Sequence, residues 1–363
     1  MNPIGVSRET MATIQRMVST VVQPWRILSP TPALAAGPAD PPLTRPPAPG
    51  YGPASSAGHE PTPEAPPPPP PPPPAQPPLD EDDLPPLDEV TDQGPISEVD
   101  SGPVRRPSAP PRILAVANQK GGVGKTTTAV NLGACLAELG LRTLVVDLDP
   151  QGNASTGLGL NIRELDVTMY DVILQQKPIE DCIEPAAVRN LFVAPSSLDL
   201  AGAEIELVSA MSREMRLRSA LVDIGADNDY FLIDCPPSLG LLTLNGLAAA
   251  GEVLVPIQCE YYALEGLGQL LRNVDLVKRN LNPTLDVSMI VLVMYDGRTT
   301  LAQEVAGEVR QHFGDRVCDS VIPRTVRLSE APSYGQPINT FDPRSRGAEA
   351  YRELAREVAN GAS

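Results

Sequence analysis

Residues 120–127 read Lys-Gly-Gly-Val-Gly-Lys-Thr-Thr and follow directly on the apolar run Ile113, Leu114, Ala115, Val116, Ala117. A strand that breaks into glycines and then opens a helix leaves several backbone N–H groups aimed at one point, with the positive end of the helix dipole behind them. That is a phosphate cradle. Gly121, Gly122 and Gly124, with Val123 among them, can bring the backbone close to a phosphate; Lys125 can reach the outer phosphates, and the Thr126 hydroxyl, beside Thr127, can ligate Mg²⁺. The common nucleotide-loop pattern has a glycine five residues before Gly124, where this chain has Gln119 with a second lysine, Lys120, next to it.

Three carboxylates follow at the ends of apolar runs. In Val145-Val146-Asp147-Leu148-Asp149-Pro150-Gln151-Gly152, strand alternation puts Asp147 and Asp149 on one side, where a carboxylate can hold the Mg²⁺ shell or orient an attacking water. Asp234 closes the run Tyr230-Phe231-Leu232-Ile233. A buried, unpaired aspartate is costly, so a neighbouring cation is the simplest account of it.

The elements that must position these groups alternate between strand and helix patterns from Arg112 onward. This predicts an α/β fold with a mostly parallel, doubly wound sheet flanked by helices, of the P-loop NTPase type. Strands are expected at 113–117, 143–146, 191–194, 230–233, 252–256, 287–294 and 317–322. Helices are expected at 126–139, across 201–222, and at 239–250, 263–280, 301–313 and 347–359.

Composition divides the chain at residue 111. Of the 43 prolines, 31 precede Arg112, nine of them consecutive from Pro66 to Pro74. Residues 1–111 therefore read as a disordered, Pro-rich acidic extension, and 112–363 as one α/β domain of ordinary size. Within the extension, residues 8–22 carry Met11, Ile14, Met17, Val18 and Val21 at helical spacing. They read either as a docking segment for a partner or membrane surface, or as a nascent helix in a tail. The net charge of −17 argues against a generically basic nucleic-acid binder but leaves room for a local arginine patch late in the chain. Five scattered cysteines without Cys-x-x-Cys spacing suit a reduced, cytosolic protein, and no stretch approaches the roughly 20 apolar residues of a membrane span.

The stretches Asn118–Thr127, Val146–Asn153, Ala201–Glu204, Ile233–Gly240, Gln258–Gly266 and Asp342–Ala348 together resemble the ParA/Soj chromosome-partitioning ATPases, a class with a deviant Walker A loop. The resemblance runs from about Arg112 to the C-terminus and leaves residues 1–111 without a counterpart. It implies ATP and Mg²⁺ as cofactors, an ATP sandwich homodimer in which Lys120 acts in trans, Asp149 orienting the hydrolytic water, and Asp147 and Asp234 around the metal with Thr126. It also implies non-specific binding of double-stranded DNA through Arg298 and Arg327, an adenine contact near Pro323, a ParB-type centromere-binding protein as activator, and a cytoplasmic, nucleoid-associated location. Two other readings stay open at this level. One is a membrane-cycling ATPase of the MinD type, which would need an amphipathic C-terminal helix that the charged, alanine-rich end does not supply. The other is an adaptor that docks a polar scaffold through residues 1–111, with ATP setting only the oligomeric state.

Overall fold

The computed structural model describes residues 110–260 and 263–361; the readings made for the N-terminal extension lie outside the described residues. Eight strands form one sheet: β1 (Arg112–Val116), β2 (Thr143–Asp147), β3 (Glu184–Pro185), β4 (Leu191–Ala194), β5 (Tyr230–Asp234), β6 (Glu252–Gln258), β7 (Asp286–Tyr295) and β8 (Val317–Pro323). Their order is β3-β4-β2-β5-β1-β6-β7-β8. All neighbouring pairs are parallel except β3 with β4. The expected fold class is the one observed.

Helices lie on both faces: α1 (Lys125–Glu138), α2 (Asn153–Gly157), α3 (Leu200–Glu206), α4 (Arg216–Asp223), α5 (Leu241–Ala249), α6 (Ala263–Asn280), α7 (Thr300–Phe313), α8 (Val326–Glu330), α9 (Ile338–Phe341) and α10 (Arg346–Asn360). Central strands covered on both sides must be apolar throughout, which is why β2 and β5 are buried at every residue. One core layer packs α1 and α10 onto the sheet through Leu132, Leu136, Tyr351 and Leu354. The other places α4 to α7 on the opposite face through Leu221, Leu247, Leu271 and Val305. The helix α1 sits unusually close to the sheet: a Cβ at Gly133 would fall 2.9 Å from Val145 Cγ2.

Two differences from the sequence reading have local causes. The region 201–222 is not one helix: a helical turn continues α3 through Ser209, the chain then bends with Ser212 at φ 50°, and α4 starts only at Arg216. The edge strand β3 has two residues, one a proline, too short to show any period.

The strand that feeds the glycine loop, β1, lies between β5 and β6, where the order of connection reverses direction. Open parallel sheets form a crevice at such a point, outside the carboxyl ends of the strands.

Candidate nucleotide site

The phosphate loop is held from two sides. Asn118, buried just past β1, donates from Nδ2 to the Pro256 carbonyl (2.8 Å) and accepts from the Lys120 N–H at Oδ1 (3.0 Å). Gln258 Nε2 donates to the Gly122 carbonyl (3.0 Å). Between these ties Gly122 and Gly124 take left-handed φ values of 72° and 79°. No atom lies within 4 Å of a Cβ placed at Gly121 or Gly122, so the cradle is open where an anion would enter. The 14-residue α1 starts at Lys125 with no side chain capping its first N–H groups, which leaves them to a ligand.

Lys125 is 6% exposed, and its ammonium points back at the Lys120 carbonyl (3.4 Å). Burial lowers its proton affinity, and the nearby carboxylates of Asp234 and Asp149 oppose that.

The acids sit at the adjoining strand ends. Asp147 and Asp234 are direct partners in the β2–β5 register, and both are wholly buried. Their surroundings differ. Asp147 accepts from the Ser155 N–H (2.9 Å) and hydroxyl (2.7 Å) at Oδ2 and from the Asp149 N–H (3.1 Å) at Oδ1. Burial still raises it to about 6, against the Ser155 and Asp149 hydrogen bonds that pull it down. Neither oxygen of Asp234 has a hydrogen bond of ordinary geometry among the described residues. Burial first and the Asp147 charge second push it well above the usual carboxylate range; the neighbouring Thr126 hydroxyl and Lys125 only partly offset this. Asp149 stands half-buried at the mouth, its Oδ1 accepting from the Gln151 N–H (3.0 Å). Asp147 thus spends its carboxylate on shaping the loop that carries Asp149, while Asp234 has only the Thr126 hydroxyl and the Lys125 charge against its burial.

A cleft of about 480 Å³ continues from Gly124 and Thr127 past Met294 to Pro323 and Val326. This puts Pro323 in one cleft with residues of the phosphate loop.

The site therefore comprises an open anion cradle, a buried lysine, a hydroxyl beside an unmatched carboxylate, and an apolar cleft. Comparison with known proteins shows the family. A family model described as an AAA domain matches residues 111–287. The sporulation initiation inhibitor protein Soj of Bacillus subtilis is 56% identical over 248 residues, which span 68% of this chain and 98% of Soj. The chromosome partitioning protein ParA of Myxococcus xanthus is 54% identical over 247 residues, 68% of this chain and 87% of that protein. The chain belongs to the ParA/Soj family. Among solved structures, a Mycobacterium smegmatis protein described as cobyrinic acid a,c-diamide synthase, with bound ATP analog and magnesium, superposes with a TM-score of 0.61. It is 41% identical, and the match covers 69% of this chain and 95% of that one.

In this ParA/Soj member Lys120 is tied within its own chain, Nζ to Glu260 Oε2 at 2.9 Å, both side chains partly exposed. Arg298 is exposed and grips Asp296 with two hydrogen bonds (2.8 and 2.7 Å), which hold that carboxyl down at about 2. Arg327 pairs with Glu330 (3.0 Å) and Asp342 (3.3 Å). Both arginines are therefore surface ion-pair partners as well as candidate contacts. Arg298 also lines a cleft of about 720 Å³ with Arg324 and Arg346, and Asp296, Glu349 and Glu353 line it too. Sequence reading assigned no role to Arg324, Arg346, Ser155 or Gln258, although Arg346 and Gln258 lie in stretches that carry the family resemblance and Ser155 two residues past one. All five cysteines are buried, as expected of small hydrophobes. Among the described residues no helix is long and apolar enough to cross a membrane.

Proposed function

We propose that this ParA/Soj protein is a Mg²⁺-dependent ATPase that pairs two copies around ATP, binds double-stranded DNA without sequence preference in that state, and leaves DNA after hydrolysis stimulated by a ParB-type partner. The observation that carries the ATPase part is Asp234, a fully buried carboxylate whose burial the Thr126 hydroxyl and Lys125 offset only in part. A cation removes its cost. Among the described residues no three His, Cys, Asp or Glu converge on a metal position. That suits Mg²⁺, which takes one or two protein groups and fills its shell with water and phosphate oxygens. Asp234 and Thr126 would hold it, and it would neutralise developing phosphate charge.

The chain's own groups have distinct tasks. Residues 120–127 bind the phosphates through their N–H groups, Lys125 reaches the outer ones, and the cleft at Pro323 takes the base. Asp149, whose loop Asp147 holds in place, orients the attacking water. Lys120 exchanges Glu260 for the partner copy's phosphates; an exposed ion pair of this kind is worth about 1 kcal/mol or less, so the exchange costs little.

For DNA, Arg298, Arg324 and Arg346 line one cleft, together with Asp296, Glu349 and Glu353, and these arginines with Arg327 would supply the phosphate contacts on an otherwise acidic protein. Each contact is weak and screened, but doubling the number of neutralised phosphates by pairing two copies raises affinity steeply. Binding through phosphates carries no sequence information, and it would place the protein on the nucleoid. Co-sedimentation with DNA in ATP, in ADP and with an Arg298→Glu variant tests the reading. Pelleting should need ATP and fall in the variant; equal pelleting without nucleotide would refute it.

A further inference from the structure

Met294 is a methionine in a backbone conformation that suits glycine. It takes φ 51° one residue before the end of β7, where strand residues are ordinarily extended. The pairing with β8 shows how the strand accommodates this. Leu292 lies opposite Val321 and Tyr295 opposite Pro323, so three steps along β7 match two along β8, and the extra residue makes a bulge. Glycine is the usual left-handed residue of a bulge, because a side chain there is strained. Such strain persists only where the surroundings over-determine it, so the side chain has a task.

The bulge re-aims that side chain. Val291 and Val293 belong to the core layer that contains α1 and α10, Ile290 and Leu292 to the layer on the opposite face. Regular alternation would send Met294 to the side of Leu292, away from the phosphate loop. Instead its Cε lies 3.7 Å from a Cβ placed at Gly124, beside Val293 Cγ2 at 3.8 Å, and it lines the cleft that begins at Gly124. Gly124 is the left-handed turn from which α1 starts, so Met294 forms a floor under that turn.

The same side chain braces Gln258. This residue ends β6 opposite Val293, and its Nε2 donates to the Met294 sulfur as well as to the Gly122 carbonyl. A carbonyl only accepts, so it fixes which end of the amide faces it, and both N–H groups of Nε2 are then engaged. The loop needs that restraint. A carbonyl aimed into a phosphate cradle repels the anion, and the peptide that follows Gly122 can turn over at little steric cost, since glycine populates both signs of φ. With the carbonyl held by Gln258, the trans peptide points the Val123 N–H the opposite way, free to face a phosphate.

We propose, on the reading that residues 120–127 bind the phosphates of ATP, that Gln258 and Met294 are a pair of positioning residues for that binding. Gln258 sets the orientation of the Gly122–Val123 peptide. Met294, turned by the bulge, holds both Gln258 and the Gly124 turn in place. Neither side chain carries a formal charge or touches the reacting atoms; each acts through the backbone of the loop.

The test measures binding of inorganic tripolyphosphate, which has no base, and of a non-hydrolysable ATP analogue, both with Mg²⁺, to the full chain. Wild type is compared with Gln258→Leu, Gln258→His, Met294→Gly and a Gln258→Leu/Met294→Gly double variant, with thermal unfolding to show that each is folded. Gln258→Leu and Met294→Gly should each bind both ligands ~10-fold more weakly, the scale of one hydrogen bond, and KM for ATP should rise by the same factor with kcat within ~2-fold. Gln258→His, which returns a donor, should recover most of the loss. The double variant should be little weaker than either single one, because the two residues act as a unit. Unchanged binding of both ligands in Gln258→Leu and Met294→Gly would overturn the proposal while leaving the phosphate loop intact as the ATP site. A loss confined to the ATP analogue would make these residues contacts to the base, and a ~100-fold loss in the double variant would make them independent; either overturns it. A wild type that binds neither ligand would remove the reading of residues 120–127 and this proposal with it.

Discussion

An Asp234→Asn variant takes a formal charge out of the floor of the phosphate site while keeping the side chain's shape. In the nucleotide-free protein that charge is a liability, since Asp234 is fully buried without a hydrogen bond of ordinary geometry and its proton affinity is raised well above the ordinary value of 3.8. A carboxyl raised on folding binds more protons in the native than in the unfolded state, so stability is fullest below the ordinary value and falls as pH rises toward the folded value. The loss has a ceiling. At about pH 7.5 it cannot exceed about 5 kcal/mol, which is ~1.36 kcal/mol per pH unit over the interval from 3.8, because the group takes up a proton instead. Asparagine escapes that penalty but leaves a buried amide unsatisfied, at about 1–3 kcal/mol. The net is a gain of at most about 2–4 kcal/mol, each kcal/mol being worth roughly 2–4 °C in Tm for a domain of this size. Thermal unfolding of the nucleotide-free protein should show that gain at about pH 7.5 and shrink it toward about pH 4, where the wild-type carboxyl is neutral. Mg²⁺-dependent ATP turnover should fall by ~100-fold or more, the scale of losing one preorganised electrostatic contact. A variant less stable than wild type at both pH values, with turnover intact, would refute the argument, since opposite signs of stability and activity are what a carboxylate kept for a cation requires.

Two further outcomes follow from neighbouring contacts. Ser155→Ala removes a buried hydroxyl that bonds both Asp147 and the Ser196 N–H. It should cost about 1–3 kcal/mol in denaturant unfolding and lower kcat with little change in KM, because it disturbs the Asp149 loop and not the phosphate cradle; a rise in KM alone would count against that assignment. At the opposite end of the sheet Arg112 grips Glu252 through two hydrogen bonds of 2.8 Å. Burial pushes Glu252 up, but the Arg112 hydrogen bond and charge outweigh it, so its folded value lies below the ordinary 4.5. Its contribution is present above 4.5 and lost as pH falls through the folded value, so Glu252→Gln should cost about 1 kcal/mol or less near neutral pH and nothing near pH 2–3. A difference that survives at the acid end would point to packing instead.

What the sequence made legible, and what it did not, divides along one physical line. The runs at 143–146 and 230–233 were readable as strands because a strand covered on both faces must be apolar at every position, and a run of that kind survives any change of neighbours. The phosphate loop was readable because its glycines, lysine and threonine are contiguous. Relations between distant residues were not readable. Strand alternation placed Asp147 with Asp149 near a metal, yet Ser155, eight residues on, engages one Asp147 oxygen and the Asp149 N–H the other, and no period in the sequence announces that exchange. Arg324 and Arg346 lie in different elements and meet only because α10 packs against β8. Periodicity also ran α3 into α4, since a helix apolar on two faces looks like a longer helix that is merely rich in apolar residues.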